Sequence, residues 1–463
     1  MEKLYTIGGM TQIFNAKSEN INKDLIVQGF SIDSRTLKDG EVFFCITGEN
    51  TDGHNYIQQA LEKGAGVIVA SPEKIPLELR QRPFSRILVT DPNLALLEWA
   101  TDLRKQFSGK VIAVTGSNGK TSTKDILAGL CGYLDFKSYA TPGNFNNFIG
   151  VPLTLLNAPL DAEWWVIEIG TNKFGEVEQL SKIVQPTAGI ITNIGESHLE
   201  YLKNTKGVAL EKSGLFAGMQ KGTKVVVPDS LLHLKLIEEQ ASKAGVKIIK
   251  TTQPNNRQDS EGNNKVLLFD QYFETSIQSP LLQKNLILAL TILYSEGVPL
   301  SKLKQASATL DLSVKGRFQQ IEMDRWLLID DSYNANPSSF QSVLENLQKM
   351  YPDRRKTVVC GAMAELGDLS PELHRQVGKS MAANGIENML GIGGTEIDCF
   401  IEGWIDGGGN HENAAHFIDF RELIMDFNAD LQEDDVVLVK GSRSSQMERF
   451  VEAMNKDRKK VIS

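Results

Sequence analysis

Short apolar runs that stop at polar, glycine-rich turns recur along this chain, with helical spacing between them. The clearest run is Val111-Ile-Ala-Val114, which leads directly into Thr115-Gly-Ser-Asn-Gly-Lys-Thr-Ser122. Four to eight apolar residues bounded by turn signals fit a buried strand. Strands alternating with helical patterns predict crossover units around a mostly parallel sheet. From about 111 to 312 the predicted strands are Val111–Val114, Trp165–Ile169, Gly189–Thr192 and Lys224–Val227. A polar loop over Thr251–Asn264 and a hairpin-like piece over Val266–Phe273 come next, and a helix over Leu281–Glu296 closes this unit.

Two further alternations flank it. Residues 1 to about 84 hold the strand-like pieces Val42–Ile46 and Val67–Ala70 and a helix around Tyr56–Lys63, which predicts a small α/β domain. Ser71–Phe84, with its prolines and charges, reads as a surface connection, and Asn93–Phe107 has helical spacing. The last alternation runs through Trp326–Asp330, Thr357–Cys360, Met389–Ile392 and Val436–Val439, each ending in a turn rich in Gly, Asp or Ser. The expectation is an α/β protein of three domains, 1–84, 85–313 and 314–463: a small N-terminal α/β domain, a P-loop-like central sheet with helices, and a Rossmann-like C-terminal domain.

Composition narrows the class. A chain of 463 residues with 41% hydrophobic and 23% charged residues is ordinary for a globular protein, and its net charge of −9 is spread without a basic run. Nucleic acid is therefore an unfavoured partner. Cys45, Cys131, Cys360 and Cys399 form no CxxC pair, which argues against a zinc site and a disulfide framework. No apolar signal region follows Met-Glu-Lys-Leu-Tyr, and no apolar run approaches the length of a membrane helix. These features predict a cytoplasmic protein without membrane insertion.

The strand, loop and helix around Lys120 point to a nucleoside triphosphate. Gly116 and Gly119 let the backbone close on phosphate oxygens, Lys120 neutralises them, and Thr121 can hold magnesium. The common pattern would place glycine at 114, where this chain has Val114, so the loop is a compact Thr-Gly-x-x-Gly-Lys-Thr variant. Other residues lie beyond predicted strands, where ligands bind in open α/β sheets. Glu168 is a candidate magnesium carboxylate or a solvated strand-end acid. His198 could complete a second metal shell or be structural, and its strand should neighbour those of the loop and Glu168. Lys212, in a helical pattern, is by default an exposed lysine; a carbamate would make it an anionic oxygen ligand. Asn144, Asn146 and Asn147 suit a polar ligand or a turn. Asp330-Asp-Ser-Tyr-Asn-Ala-Asn336-Pro337 can bind ligand and cap a helix. Arg317 and Lys440-Gly-Ser-Arg443 suit phosphate or carboxylate, or are solvated loop cations.

In this order, Thr115–Thr121, Asp331-Ser-Tyr-Asn-Ala-Asn-Pro337 and Lys440-Gly-Ser-Arg443 resemble the Mur ligase superfamily over nearly the whole chain. Within it they are most similar to the branch that joins D-alanyl-D-alanine to UDP-N-acetylmuramoyl-tripeptide. The resemblance implies ATP-dependent amide formation through an acyl phosphate, with two magnesium ions and a monomeric enzyme. It implies that Thr115, Gly116, Ser117, Asn118, Gly119, Lys120, Thr121 and Ser122 form the ATP loop. Asn285, in a helix-opening loop, would contact adenine, and Arg317 and Asp331 would contact the nucleotide. Thr121 would serve one magnesium, and Glu168, His198 and a carbamylated Lys212 the other. Ser34, Arg35, Thr47, Gly48, Asp52 and His54 would cradle the uridine nucleotide. Asn144, Asn146 and Asn147 would face the substrate, and Asn334, Asn336, Lys440 and Arg443 the acyl phosphate or the dipeptide. Lys284 and Ala362 depart from the family pattern, which often has histidine and aspartate there. A sister ligase and a P-loop switch are the rivals: the Ser-Tyr-Asn-Ala-Asn-Pro stretch disfavours the first, and Glu168, His198 and Lys212 together disfavour the second.

Overall fold

The computed structural model describes residues 7–8, 11, 16–22, 26–48, 50–252, 257–258, 264–310 and 316–461. The first sheet has strands β1 (Lys17–Glu19), β2 (Phe30–Ser31), β3 (Val42–Phe44), β4 (Val67–Ala70) and β5 (Arg86–Leu88), in the order β1-β5-β4-β3-β2. Ser71–Phe84 is not the link to the next unit. It contains the short helices Pro72–Lys74 and Leu77–Arg80 and leads back into the same sheet, because β5 pairs in parallel with β4. The first sheet thus runs past residue 84.

The junction with the central domain is the helix Pro92–Gln106, started by Asp91, which accepts from the N–H of Asn93 at 2.8 Å, and by Pro92 at the first position. Trp99 of this helix packs edge-on against Phe44 of β3, with ring centroids 5.0 Å apart. Just beyond it, Phe107 stacks on Trp165 at 3.7 Å. One run of sequence thereby shares the cores of two domains.

The central sheet comprises β6 (Lys110–Thr115), β7 (Ser138–Ala140), β8 (Trp164–Glu168), β9 (Ala188–Ile191), β10 (Lys224–Pro228) and β11 (Lys247–Thr251). All pair in parallel, in the order β11-β10-β9-β6-β8-β7. β6 is therefore the middle strand of the three that matter, with β8 on one side and β9 on the other; β9 does not touch β8. This is the place where the chain order reverses, and the carboxyl ends of such strands open a crevice.

A small antiparallel sheet follows, with β12 (Arg257–Gln258), β13 (Asn264–Leu268) and β14 (Gln271–Thr275); the last two form the expected hairpin. Of the expected polar loop, residues 253–256 and 259–263 lie outside the described residues, as does the expected boundary at 313–314. The helix Pro280–Ser295 does not close the domain, since the helix Leu300–Thr309 follows and packs on β14.

The third sheet contains β15 (Gln319–Glu322), β16 (Leu327–Asp331), β17 (Lys356–Gly361), β18 (Asn388–Ile392), β19 (Ala414–Phe417) and β20 (Val436–Lys440), ordered β15-β16-β20-β17-β18-β19. Only β15 is antiparallel. The turns after β16, β20 and β17 lie at one edge, facing the crevice of the central sheet. Among the described residues no helix is long and apolar enough to cross a membrane.

Candidate active site

The crevice is a cavity of about 940 Å³ lined by both domains: Ser117–Ser122, Asn146, Glu168, His198 and Asn285 on one side, Arg317, Asp331, Asn334, Asn336, Glu365, Lys440 and Arg443 on the other. The phosphate loop forms its floor. Gly116 has φ +146°, and a Cβ there would lie 2.0 Å from Oγ1 of Thr192. Gly119 has φ +79°, and a Cβ would meet Oδ1 of Asn285 at 2.9 Å. Only glycine allows both the turn and the approach of neighbouring loops. The loop after β9 braces this turn: Asn193 Oδ1 accepts from the N–H of Asn118 at 2.7 Å, and Asn193 O from the N–H of Ser117 at 3.1 Å.

The charged groups of the floor are turned onto neutral partners. Lys120 Nζ donates to the carbonyls of Gly116 at 2.8 Å and Ser117 at 3.1 Å. Burial pushes its ammonium down to about 8; the Glu168 charge opposes the shift and the Arg317 charge adds to it. Glu168, at the end of β8 beside Val114, is wholly buried. Its two oxygens accept from Thr121 Oγ1 at 2.7 Å and Asn146 Nδ2 at 2.6 Å. It is not a solvated strand-end acid.

Lys212 is not an exposed lysine either. It lies in the helix Thr205–Ser213, wholly buried, and its Nζ has no hydrogen-bond partner among the described residues. Burial and then the Lys120 charge push its ammonium well below the ordinary lysine range, against the pull of Glu211, Glu176 and Glu168. A buried amine without a partner is costly unless a group occupies the space beside it.

Among the described residues no group of three His, Cys, Asp or Glu side chains could hold a metal by itself. The donor set nevertheless fits magnesium, which binds proteins through one or two oxygens and completes its shell with water and phosphate. Glu168 is a buried carboxylate whose side-chain partners are neutral, and the Thr121 hydroxyl lies against it.

The C-terminal domain reaches the floor directly. Asn336 caps the helix Pro337–Met350, its Oδ1 accepting from the N–H of Ser339 at 2.8 Å, and its Nδ2 donates to Oδ1 of Asn118 at 2.8 Å. Asn118 Nδ2 in turn donates to Ser338 Oγ at 2.8 Å. Lys440, 1% exposed, donates to Asp331 Oδ2 and to the Asn334 carbonyl at 3.1 Å. The guanidinium of Arg317 lies 4.1 Å over the ring of Tyr333. Arg443 is exposed and pairs with Glu448 at 3.0 Å.

Several expected residues are placed otherwise. Asn285 lies inside the helix Pro280–Ser295, not in a loop that opens it, yet it still reaches Gly119. Asn147 lies in the turn before the helix Gly150–Leu156, its Oδ1 accepting from the N–H of Gly150 at 2.8 Å, and Asn144 is exposed at the cavity wall. Thr115, Gly116 and Lys212 lie behind the wall. Ser34, Arg35, Thr47, Gly48, Asp52 and His54 are absent from the cavity lining. Arg35 pairs with Asp33 at 2.7 Å, Ser34 donates to Gln59 at 2.7 Å, and Thr47 is held by Asn93. His54 is buried, donating from Nδ1 to Asp52 and accepting at Nε2 from the N–H of Ser71 at 2.9 Å. Sequence reasoning assigned no role to Ser338, Tyr333 or Glu365, whose contacts cross between loops or domains. Glu365 meets Nδ1 of His198, and that bond holds its carboxyl below the usual carboxylate range.

Comparison with known proteins gives a consistent result. Residues 26–100 match the family described as Mur ligase family, catalytic domain; residues 114–291 match the Mur ligase middle domain, and residues 316–443 the Mur ligase, glutamate ligase domain. The chain is 31% identical over 469 residues to the UDP-N-acetylmuramoyl-tripeptide--D-alanyl-D-alanine ligase of Escherichia coli, covering 98% of each chain. It is 29% identical to the Bacillus subtilis protein of the same name, covering 92% of this chain and 93% of that one. A crystal structure of MurF from Acinetobacter baumannii superimposes with a TM-score of 0.83 at 26% identity, over 98% of this chain and 99% of the other. The Thermotoga maritima MurF structure in complex with ADP gives 0.79 at 26% identity, over 95% and 100%.

Proposed function

Because the chain belongs to the Mur ligase family, we propose that its cleft performs ATP-dependent amide formation, joining D-alanyl-D-alanine to UDP-N-acetylmuramoyl-tripeptide in peptidoglycan precursor synthesis. The observation that carries this reading is the meeting of two sheet edges. The phosphate loop of one and the Asn334, Asn336 and Lys440 turns of the other line a single cavity.

A carboxylate acylates amines poorly at neutral pH, so the γ-phosphoryl group of ATP is first transferred to it, giving an acyl phosphate. The amine then attacks, and phosphate leaves. Lys120 swings from the Gly116 and Ser117 carbonyls onto the phosphates, Arg317 neutralises charge from the opposite wall, and Asn285 holds the base side of the nucleotide. Asn336 and Lys440 orient the acyl phosphate and the amine. Alignment and fixed charge supply most of the acceleration in such transfers. Two magnesium ions would be held by Thr121, by Glu168 and His198, and by a carbamylated Lys212; bound there, they would offset negative charge on the phosphoryl oxygens. The orphaned amine supports the carbamate, because only a neutral amine adds carbon dioxide. Docking of the C-terminal domain excludes water that would hydrolyse the intermediate.

The N-terminal residues Ser34, Arg35, Thr47, Gly48, Asp52 and His54 are assigned to the uridine nucleotide, and Asn144, Asn146 and Asn147 to the peptide side. The enzyme is assigned to the cytoplasm, with which its four free cysteines agree, and is taken to act as a monomer. The test offers purified protein ATP, magnesium and the UDP-linked tripeptide, with D-alanyl-D-alanine or other amines, and records phosphate release and product mass. Release indifferent to D-alanyl-D-alanine would overturn the reading.

A further inference from the structure

The turn after β17 belongs to the C-terminal domain, yet its acidic side chain meets a histidine of the central domain. Oε2 of Glu365 is in direct hydrogen-bond contact with Nδ1 of His198. The backbones meet as well: the N–H of Glu200 donates to the Glu365 carbonyl at 3.2 Å. Both side chains line the cleft. Both backbones are left-handed, with φ +53° at His198 and φ +61° at Glu365. Such conformations in residues other than glycine persist where surrounding contacts enforce them, and they cluster at functional sites.

The turn is anchored from behind by a second histidine. His374 is wholly buried, its Nε2 accepting from the N–H of Met363 at 3.0 Å while its Nδ1 faces the Ser370 carbonyl at 2.7 Å. Met363, two residues before Glu365, is thus tied to the core of its own domain, which fixes where the carboxylate is presented.

We propose that Glu365 is a positioning residue for His198. It accepts the Nδ1 proton, so that Nε2 is the unprotonated ring nitrogen offered to the site, and it does so when the C-terminal domain docks on the central one. A neutral imidazole carries one N–H and one lone pair, and the hydrogen bond at one nitrogen decides which is which. A carboxylate on the far nitrogen is the usual device for orienting an imidazole that binds a metal or accepts a proton. Nε2 of His198 has no hydrogen-bond partner among the described residues, as this role requires. Domain docking would then complete the His198 side of the site as well as close it. This inference rests on the ligase reading for its kinetic consequence, but not for its spectroscopic one.

The first measurement is nitrogen-15 NMR of the histidine rings in the full-length, metal-free protein at pH 7.5. The six histidines are separated by assigning His198 through its loss in His198→Gln. The expected wild-type signal is the Nδ1–H tautomer. A doubly protonated ring or the Nε2–H tautomer would overturn the proposal before any variant is made. In Glu365→Ala the ring should lose that preference and give the averaged signal of mixed tautomers, while the melting temperature stays close to wild type. A preference kept in the alanine variant also overturns the proposal. Kinetically, Glu365→Ala should lower kcat at least tenfold with KM for ATP within about twofold, and Glu365→Gln, whose amide oxygen can accept the same bond, should recover part of the loss. A shared loss in KM for ATP would mark a packing role instead. If the wild-type protein releases no phosphate with D-alanyl-D-alanine, the ligase reading fails while the tautomer result stands.

Discussion

The hydroxyl of Thr121 donates to Oε2 of Glu168 at 2.7 Å, so the residue that ends the phosphate loop and the carboxylate that ends β8 touch directly. Their strands make this inevitable, since β6 and β8 pair in parallel with Val114 beside Glu168. A wholly buried carboxylate with neutral side-chain partners favours a cation. Glu168→Gln keeps the shape and removes the charge. It should lower kcat at least a hundredfold, about 2.7 kcal/mol of barrier, and abolish the rise in melting temperature that magnesium and ATP give the wild type. The metal-free variant should melt no lower than wild type. A variant still stabilised by magnesium and ATP to the wild-type extent would sink the assignment.

The buried amine of Lys212 makes a separate prediction. With no hydrogen-bond partner among the described residues and its ammonium pushed well down by burial, the amine is predisposed to its neutral, nucleophilic form. Carbon-13-labelled bicarbonate should give a carbamate NMR signal that disappears in Lys212→Ala. That variant should lose at least a hundredfold in kcat and regain part of it with acetate or formate, whose oxygens can occupy the vacated space. Wild-type activity in Lys212→Ala would reject the carbamate.

What could be read from the sequence was what lies on one continuous segment. A strand, two glycines, Lys120 and Thr121 are contiguous, so local patterning locates them; so are the apolar strand and terminal acid at Glu168. Sheet order was less accessible, because placing β6 between β8 and β9 depends on which crossover packs where, and the sequence carries only the alternation. The resemblance put Asn285 in a helix-opening loop, whereas the apolar spacing over Leu281–Glu296 already contained it; Ser279 and Pro280 start the helix before it. Lys212 has the local pattern of a solvent-facing lysine, and only tertiary packing buries it. The Asn118–Ser338 and His198–Glu365 contacts join residues 220 and 167 positions apart across two domains, and no local spacing encodes them.

Asn336 combines a structural and a functional task that can be separated by substitution. Its oxygen caps the helix Pro337–Met350, and its amide N–H reaches Asn118 in the phosphate loop. Asn336→Asp keeps the cap, and a negative charge at a helix start is favourable. Asn336→Ala removes it. Thermal melts should place the aspartate variant at or above wild type and the alanine variant about 1 kcal/mol lower, while both lose at least tenfold in kcat. An aspartate variant with wild-type kcat would confine Asn336 to capping.

The N-terminal network can be tested through pH. Asp52 Oδ1 accepts from the N–H of His54 at 3.0 Å and from its ring, and Oδ2 accepts from Lys74 Nζ at 3.0 Å and Thr47 Oγ1 at 3.3 Å. Burial alone would raise the Asp52 pKa, but the bonds from His54 and Lys74 hold it at about 2, below the ordinary 3.8. Between those values the unfolded chain binds more protons than the folded one, so stability falls as pH drops through this window and is fully present above it. Asp52→Asn has no such group to titrate. At pH 7 it should be less stable than wild type by about 1–2 kcal/mol, allowing for the partial exposure of the pair. The gap should narrow below pH 4 and close near pH 2, read by urea melts of both proteins across that range. Since Asp52 also fixes Thr47, the variant should raise KM for the UDP-linked substrate at unchanged kcat. A stability gap that stays constant from pH 7 to pH 2 would show that Asp52 acts through its shape and not through its charge.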